Sequence, residues 1–377
     1  MNPNSIPSFL PVAALAWFAA VGHAHAAATL KTLHAFSGPD GANPPSGLVL
    51  GKGGMLYGTT TNGGANDKGT VFAVSRHGEF TSLHSFAGAD GEQPAAALVQ
   101  GKDGFLYGMT SYGGENGKGT VFRISTQGEL TTLHSFTGAD GSEPTAALVQ
   151  GSDGDLYGTT FLGGSANKGT IFKITPQGAF TTLHMFEGPE GSEPFGALVQ
   201  GPSGDFFGTS FGGGNAFRIS PKGKYKELHV FTVDEGLEPS ELSLGSDGAF
   251  YGTASLGGVF REGTLFRMTE DGTVTVMHSF DRDDGFQPVW PPMQASDGNF
   301  YGTTWGKAGT MYRMTPAGEL TTVYRFRRSH GAPPEGILVQ DAKGDFYGIA
   351  SRGGESGVGS VFRITGADES AAESAGQ

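Results

Sequence analysis

The stretch that decides the fold is Ala97–Phe136, with the sequence ALVQGKDGFLYGMTSYGGENGKGTVFRISTQGELTTLHSF. Six further copies of it, some shortened, fill almost all of the chain after residue 28. An aromatic residue before a glycine marks the same point of each copy, at Tyr57, Tyr107, Tyr157, Phe207, Tyr251, Tyr301 and Tyr347. The intervals are 50, 50, 50, 44, 50 and 46 residues. A period of this kind indicates one repeat architecture rather than several unrelated domains.

One copy contains four short runs that are typical of β-strands: ALVQ (97–100), FLYGMT (105–110), GTVFRIS (119–125) and ELTTLHSF (129–136). The runs are rich in β-branched and aromatic residues, and turns rich in Gly, Asp and Asn separate them. No window has the spacing of an amphipathic helix. A repeated four-stranded unit of about 40–50 residues predicts an all-β fold, the β-propeller.

The two ends of the repeat region decide the number of blades. The region opens with a lone fourth strand, TLKTLHAF (29–36), and closes with three strands, ILVQ (337–340), FYGIAS (346–351) and SVFRIT (360–365). We therefore predict a seven-bladed β-propeller over residues 29–365, with four strands per blade, whose N-terminal strand completes the last blade. Such a pairing would remove two exposed sheet edges.

The segment before the repeats is typical of an export signal. Residues 1–26 contain an apolar run from Phe9 to Gly22, followed by the small residues Ala24-His25-Ala26. The first residues, MNPNSIPS, lack Lys and Arg, so an N-terminal membrane anchor is the alternative. The run is short for a bilayer span of about 20 residues. We expect a secreted or periplasmic protein with a cleaved signal peptide over 1–26 and no membrane span afterwards.

Composition narrows the classes of partner. The formal net charge of −13 disfavours a nucleic-acid partner, which requires a basic surface. The chain contains no cysteine, so a ring closed by a strand would replace disulfide bonds. After Thr365 the segment 366–377, GADESAAESAGQ, is small and acidic, and we predict a disordered tail. We expect a monomer.

The motifs LYGTT, the GG pair, KGTVFRI and LHSF recur in fixed order over roughly residues 30–365. In this the chain resembles the GloVer (Gloeo-Verruco) tandem-repeat family of exported bacterial proteins. The resemblance implies a secreted, propeller-like repeat protein and implies no reaction. Some members of that family carry a C-terminal sorting anchor, and this chain departs from them by ending without one.

The repeated polar residues are interpreted as structural, because a catalytic site is needed only once. We expect the recurrent His, Tyr and Thr side chains to satisfy one another inside each blade. Acidic residues recur in the turns between blades, and Asp-Gly before Pro is ordinary turn chemistry. Carboxylates on adjacent loops could also hold Ca²⁺, although no loop has the D-x-D-x-D spacing of a dedicated site. We predict no other metal and no cofactor.

Nearly all irregularity falls on the face that carries the second-to-third-strand loops and the loops between blades. Blade 6 departs most, with DRDDGFQPVWPP before it, TWGKAG within it and RFRRSHGAPP after it. An aromatic rim with a few charged groups is typical of a carbohydrate site. Neutral divergence of the copies is the alternative. The candidate ligand-binding residues are Trp290, Trp305, Lys307, Arg328, Phe161, Phe211, Asp283 and Asp284.

Two functions from different classes follow. The first is a non-catalytic binding or scaffold module for a glycan or a protein partner. The second is a polysaccharide-active enzyme, such as a lyase for uronate polysaccharides, with its site near blade 6. In that enzyme His330 or Tyr112 would abstract a proton, while Arg327, Arg328 or Lys307 neutralised the developing enolate. The candidate catalytic residues are thus His330, Arg327 and Tyr112.

Overall fold

The structure is a computed structural model that describes residues 28–188 and 190–367. It contains seven four-stranded antiparallel sheets arranged as blades around a central channel. The prediction of an all-β, seven-bladed β-propeller is confirmed. The predicted signal peptide, residues 1–26, lies outside the described residues.

The labels β1–β28 follow the chain, and within each blade the strands are called first to fourth from the channel outward. The first strands are β2 (Val49–Leu50), β6 (Val99–Gln100), β10 (Val149–Gln150), β14 (Val199–Gln200), β18 (Leu237–Leu244), β22 (Met293–Gln294) and β26 (Pro334–Gln340). The second strands are β3 (Met55–Thr60), β7 (Leu106–Thr110), β11 (Leu156–Thr160), β15 (Phe206–Ser210), β19 (Phe250–Leu256), β23 (Phe300–Thr304) and β27 (Phe346–Ala350).

The third and fourth strands, which form the outer half of each blade, vary less in length than the first strands. The third strands are β4 (Thr70–Ser75), β8 (Thr120–Ile124), β12 (Thr170–Ile174), β16 (Asn215–Ile219), β20 (Thr264–Met268), β24 (Thr310–Met314) and β28 (Ser360–Thr365). The fourth strands are β5 (Phe80–Ser85), β9 (Leu130–Ser135), β13 (Phe180–Met185), β17 (Tyr225–Val230), β21 (Val274–Ser279), β25 (Leu320–Arg325) and, in blade 7, β1 (Thr29–Ala35). The one helical element is a 3-10 turn at Arg328–His330, within the part of the chain that the structure describes.

Strand β1 closes the ring. It pairs antiparallel with β28 from Thr29↔Thr365 to Ala35↔Ser360. Leu33 then packs in the same core cluster as Phe72 of blade 1 and Val361 of blade 7. The N-terminal strand is therefore part of both the last sheet and the core between the last blade and the first.

Every blade buries its faces against its neighbours. Between blades 2 and 3, for example, Tyr107 and Phe136 pack against Leu156 and Phe172, and all four side chains are fully buried. Burying a large apolar side chain contributes about 1.5–3 kcal/mol. Because an equivalent core lies at each junction, each blade is stabilised by the two blades beside it.

The two sets of loops lie on opposite faces. The loops between blades contact the second-to-third-strand loops, as in the backbone bridges Glu92↔Tyr112 and Ser142↔Leu162. On the other face the short hairpins meet each other, as where Arg76 of blade 1 pairs with Asp341 of blade 7 at 3.0 Å. The irregular segments thus share one face, called here the loop face.

The recurrent histidines have a different partner from the one predicted. Each bonds or approaches the acidic residue of the following interblade loop rather than a Tyr or Thr hydroxyl. The separations are 2.6–3.1 Å in five blades and 3.7 Å for His184–Glu190. The recurrent Tyr hydroxyls instead donate to an Asp of the first hairpin, as in Tyr107–Asp103 at 2.6 Å. A carboxylate is favoured over a hydroxyl as the partner, because an ionised acceptor forms the stronger hydrogen bond.

The last two described residues continue the fold. Ala367 is buried, and its carbonyl accepts a hydrogen bond from the Tyr301 hydroxyl at 3.1 Å. The rest of the predicted tail, 368–377, lies outside the described residues. No helix between residues 28 and 367, Pro189 set aside, is long and apolar enough to cross a membrane.

Removing the closing strand should destabilise the ring. We expect a chain that begins at Ser37 to self-associate and to melt at a lower temperature than one that begins at Ala28, because β28 would become a bare sheet edge. Light scattering after size exclusion and a thermal melt measure both effects. A shortened chain that stayed monomeric with an unchanged melting temperature would contradict this role for β1.

A single substitution checks the same closure at the channel. Gly336 of blade 7 has φ 71°, and a Cβ there would lie 1.8 Å from the backbone nitrogen of Gly47 in blade 1. Gly336→Ala should therefore lower the free energy of unfolding, and by about 1–3 kcal/mol more than a substitution that only strains the backbone at a positive φ. Gly104→Ala is the matched control, because its φ is also positive but no atom lies within 4 Å of its added Cβ.

Acid should weaken the His–carboxylate pairs. Burial alone would raise the pKa of Asp140, but hydrogen bonds from Thr137 and His134 outweigh it and hold that pKa below its usual value of 3.8. A depressed carboxyl pKa contributes stability above the unfolded value, and that contribution is lost as the pH falls through the folded value. Asp140→Asn should lower the free energy of unfolding at pH 6 by about 0.5–1.5 kcal/mol and flatten its decline below about pH 4.

Urea unfolding between pH 3 and 6, a range chosen to bracket carboxyl pKa values of about 4, measures this. Asp234→Asn, at an exposed loop position, serves as the control. An equal slope for Asp140→Asn and the unsubstituted protein would refute the assignment.

Candidate functional site

The loop face leads into a cavity of about 420 Å³ on the channel axis, lined by all seven blades. Most of its upper wall comes from the two residues that follow a proline shared by every copy. In blades 1–3 these are Pro45, Ser46, Ala95, Ala96, Thr145 and Ala146. In blades 4–7 they are Phe195, Gly196, Ser240, Glu241, Val289, Trp290 and Gly336. Glu335 holds the first of these two positions in blade 7 but does not line the cavity. The wall is therefore small and uncharged on one side, and aromatic or acidic on the other.

Two predicted binding residues, Trp290 and Trp305, converge on one buried carboxylate. The Trp305 Nε1–H donates to Glu335 Oε1 at 3.0 Å, and the Trp290 Nε1–H lies 3.4 Å from Glu335 Oε2. The Ser351 hydroxyl also donates to Glu335 Oε1 at 2.6 Å. Glu335 is 7% exposed, and burial raises its pKa although these hydrogen bonds and the charge of Arg352 oppose the shift.

A second aromatic group lies on blades 3 and 4. Phe195 lies between Phe161 and Phe211, which were both predicted as binding residues. The ring-centroid distances are 6.3 Å to Phe161 and 6.4 Å to Phe211. Phe195 and Phe211 are 41% and 44% exposed, and Trp305 is 40% exposed. Exposed aromatic rings on one rim provide flat apolar surfaces for a ligand. We call Phe161, Phe195, Phe211, Trp290 and Trp305 the aromatic rim.

The cavity below the aromatic rim has a single ionisable lining residue among those described, Glu241 of blade 5. Burial raises the pKa of Glu241 to about 7. The sequence analysis missed Glu241, Glu335 and Phe195. Alignment of the copies on their shared proline would have found all three, because each replaces a small residue of other blades at one of the next two positions.

Lys307 lies apart from this cavity. It lines a separate depression of about 250 Å³ on blade 6, together with Arg282 and Arg325. Arg282 pairs with Glu262 at 2.7 Å, and Arg325 donates to the carbonyl of Asp283. The shortened loop TWGKAG provides four of the lining residues, Gly306, Lys307, Ala308 and Gly309.

The two predicted acidic residues differ in their surroundings. The Asp283 side chain is exposed on its loop. Asp284 Oδ2 lies 2.6 Å from His278 Nε2, and its Oδ1 accepts from the Asp281 backbone N–H at 3.0 Å. Asp284, in the loop between blades 5 and 6, thus forms the recurrent His–carboxylate pair with His278 of blade 5, which gives it a structural role shared with other interblade loops.

The three predicted catalytic residues lie in two parts of the ring. Tyr112 is on blade 2, with its hydroxyl 3.4 Å from Glu143 Oε2. Arg327 and the backbone of His330 follow blade 6. Burial and the charge of Glu143 raise the pKa of Tyr112, the direction opposite to the one that a general base needs. In the aligned copies, His330 holds the position of the pairing carboxylate and Tyr324 that of the histidine.

The remaining predicted site features are simple to place. Arg328 is exposed, and its carbonyl accepts from the Gly331 backbone N–H at 3.3 Å. Over residues 28–188 and 190–367, no group of three or more His, Asp or Glu side chains is arranged to hold a metal ion. Interblade carboxylates such as Asp40 and Asp90 bond to His34 and His84 instead, so the geometry offers no support for a Ca²⁺ site there.

Comparison with family models decides the relationship of the chain. The model of the Gloeobacter/Verrucomicrobia repeat matches residues 23–216 and 207–374. The chain belongs to this repeat family. The resemblance in the four recurrent motifs is thereby confirmed. A comparison with curated proteins finds no match.

Solved structures share the fold at low sequence identity. Virginiamycin B lyase from Staphylococcus aureus is 16% identical, with coverage of 90% of this chain and 99% of the other and a TM-score of 0.66. A 6-phosphogluconolactonase-like protein from Bacteroides uniformis is 19% identical, with coverage of 84% and 92% and a TM-score of 0.59. At such identity the likeness shows the propeller fold alone.

Glu335 should hold the two tryptophans in place. Glu335→Ala would leave both indole N–H groups without their acceptor and should lower the free energy of unfolding by about 1–3 kcal/mol. Glu335→Gln keeps one carbonyl acceptor and should cost less. Urea unfolding gives the free energies, and the emission of Trp290 and Trp305 should shift to the red in the alanine variant. Equal stability of all three proteins would show that the cluster is incidental.

Proposed function

We propose that this protein is a secreted or periplasmic binding module that holds a glycan at the mouth of its central channel, without catalysing a reaction. The observation that carries the proposal is the gathering of the aromatic rim on the loop face, above a cavity with few polar groups. Ligand sites are typically concave and mostly apolar, with a small number of placed polar groups.

The aromatic rim suits a sugar better than it suits a purely apolar ligand. A pyranose ring has an apolar face that packs on an aromatic ring, and hydroxyls at its edge that need hydrogen-bond partners. The Glu335 carboxylate fixes the indole of Trp305 while leaving 40% of that residue exposed. An aromatic surface that is already ordered loses less conformational entropy when a ligand binds.

The geometry favours binding over catalysis. Tyr112 and Arg327 belong to blades on different sides of the ring, and no hydrogen bond or ion pair joins them among the described residues. The raised pKa of Tyr112 also disfavours proton abstraction by that residue. The structural likeness to a lyase concerns the fold, and a uronate-polysaccharide lyase remains an outcome that the experiment below can return.

Export is part of the proposal. Its support is the apolar run from Phe9 to Gly22 with Ala24-His25-Ala26 after it. A ring held by β1 rather than by disulfides is compatible with an oxidising compartment, where the chain has no thiol to lose. Detection of the mature protein outside the cytoplasmic membrane, by fractionation of the source cells, tests this part separately.

Removal of one exposed indole should weaken glycan binding. We expect Trp305→Ala to lower the affinity for the best ligand of a glycan array by about tenfold or more, equivalent to about 1.4 kcal/mol. The physical reason is the loss of an aromatic contact surface on the aromatic rim. Isothermal titration measures the affinity. Phe260→Ala is the control, because Phe260 is 56% exposed on the blade 5 loop and is not part of the aromatic rim.

Two results would overturn the proposal. The first is equal affinity for Trp305→Ala, Phe260→Ala and the unsubstituted protein. The second is turnover of a uronate polysaccharide, seen as the ultraviolet absorbance of a new unsaturated sugar, which would establish the lyase instead.

A further inference from the structure

The channel cavity contains one acidic group and, among the described residues that line it, no cationic group to pair with it. Glu241 is the single ionisable side chain among the described residues that line the cavity. Its neighbours there include Ala95, Ala146, Gly196 and Ile337, which are apolar or lack a side chain. Blades 4 and 5 approach closely at this point, since a Cβ on Gly196 would lie 2.7 Å from the Cα of Glu241. The carboxylate is therefore held at the channel wall by the backbone itself.

The carboxylate of Glu241 receives no hydrogen bond or ion pair from any described residue, and burial is the cause of its raised pKa. Two further polar atoms of the cavity wall, Ser46 Oγ and Thr145 Oγ1, are buried without a hydrogen-bond partner. Glu241 is half-buried, and a carboxylate that faces a mostly apolar cavity without a partner is costly. Three unsatisfied groups from blades 1, 3 and 5 point to a ligand that would satisfy them.

Aromatic residues flank the carboxylate around the ring. Phe195 of blade 4 and Trp290 of blade 6 line the cavity on either side of Glu241 of blade 5. The indole N–H of Trp290 is directed to Glu335, so it is not a donor for Glu241. Aromatic faces carry negative electrostatic potential and attract cations. Glu238, on the same strand as Glu241, and Glu335 of blade 7 are bonded to Ser255 and Ser351, so neither brings a cation to Glu241.

We propose that the cavity is a binding site for an organic ammonium group, which forms an ion pair with Glu241 between Phe195 and Trp290. The hydroxyls of Ser46 and Thr145 accept or donate the remaining hydrogen bonds of the ligand. A bare metal ion fits less well, because a hard cation needs several oxygen ligands and no acidic cluster of that size is present among the described residues. This inference rests on the proposed function, and it specifies the glycan as one that carries free amino groups.

Matched sugars test the charge. The disaccharide of glucosamine with free amines and its N-acetylated counterpart differ little in size but differ in charge at neutral pH. We expect the free-amine disaccharide to bind at least about tenfold more tightly, because a hydrogen bond to a charged group is stronger than a neutral one. Glu241→Gln should abolish this preference, whereas Glu241→Asp should retain part of it.

Folding of the variants is not a concern for Glu241→Gln, which removes an unbalanced charge at constant size. A thermal melt at or above that of the unsubstituted protein is the expected result. Glu115→Gln, at an exposed site on the blade 2 loop, makes the same change in net charge and should leave both affinities unaltered. Equal affinity for the two disaccharides, or a preference that survives Glu241→Gln, would overturn the inference.

A sugar-free probe separates this inference from the proposed function. Pentylammonium should quench or shift the fluorescence of Trp290, pentanol should not, and Glu241→Gln should remove the response. If pentylammonium binds in this way while no disaccharide does, the ammonium site stands and the glycan proposal fails. If both neutral and charged sugars bind equally while pentylammonium does not, the glycan proposal stands and the ammonium site is wrong.

Discussion

The pairing of β1 with β28 is the contact on which the rest of the ring depends. Each blade is stabilised mainly by the blades beside it, so all seven interblade cores form together only in a closed ring. Leu33, on the first strand of the described chain, lies in the core between the last blade and the first. Among the described residues, the strand that comes first in the sequence therefore completes a sheet whose other strands come last, and a chain without it would keep two open edges.

Closure also determines what the inner surface can contain. The first strands approach so closely that Gly47 and Gly336 have no room for a Cβ where blades 1 and 7 meet. Blades 1–3 accordingly present mostly small residues to the channel, whereas blades 4–7 present Phe195, Glu241 and Trp290. The asymmetry of the site thus arises from a few side chains on a nearly symmetric backbone, and it places polar groups beside aromatic rings without disturbing the sheets.

The sequence was sufficient for the fold because the period, the strand patterns and the unequal ends are all local features that repeat. It was also sufficient to single out Trp290 and Trp305, since they break the repeat on the loop face. Their shared partner, Glu335, was missed because it follows a different blade and is joined to them only by the curvature of the ring. Tyr112 lies on blade 2 whereas Arg327 follows blade 6, because loops on one face can belong to different blades, and their catalytic roles stay predictions.

The role of Asp284 could have been predicted from the sequence. A histidine precedes the interblade carboxylate by six residues in blade after blade, as in His134–Asp140 and His278–Asp284, and that spacing alone indicates a pair. No sequence pattern could predict the surroundings of Glu241. Whether a cation lies beside its carboxylate depends on the residues that the six other blades place in the cavity. Burial of a charge is a property of the assembled ring.

The two positions after the shared proline have a consequence for how such a ring can change. None of their residues belongs to an interblade core cluster. Close backbone approach limits Gly196, which lies against Glu241, and Gly336, which lies against Ser46 and Gly47. Replacements there change the residues that line the channel, while the cores between the blades keep their packing. The propeller thus separates the residues that stabilise the fold from those that face a ligand, so its selectivity can change one blade at a time.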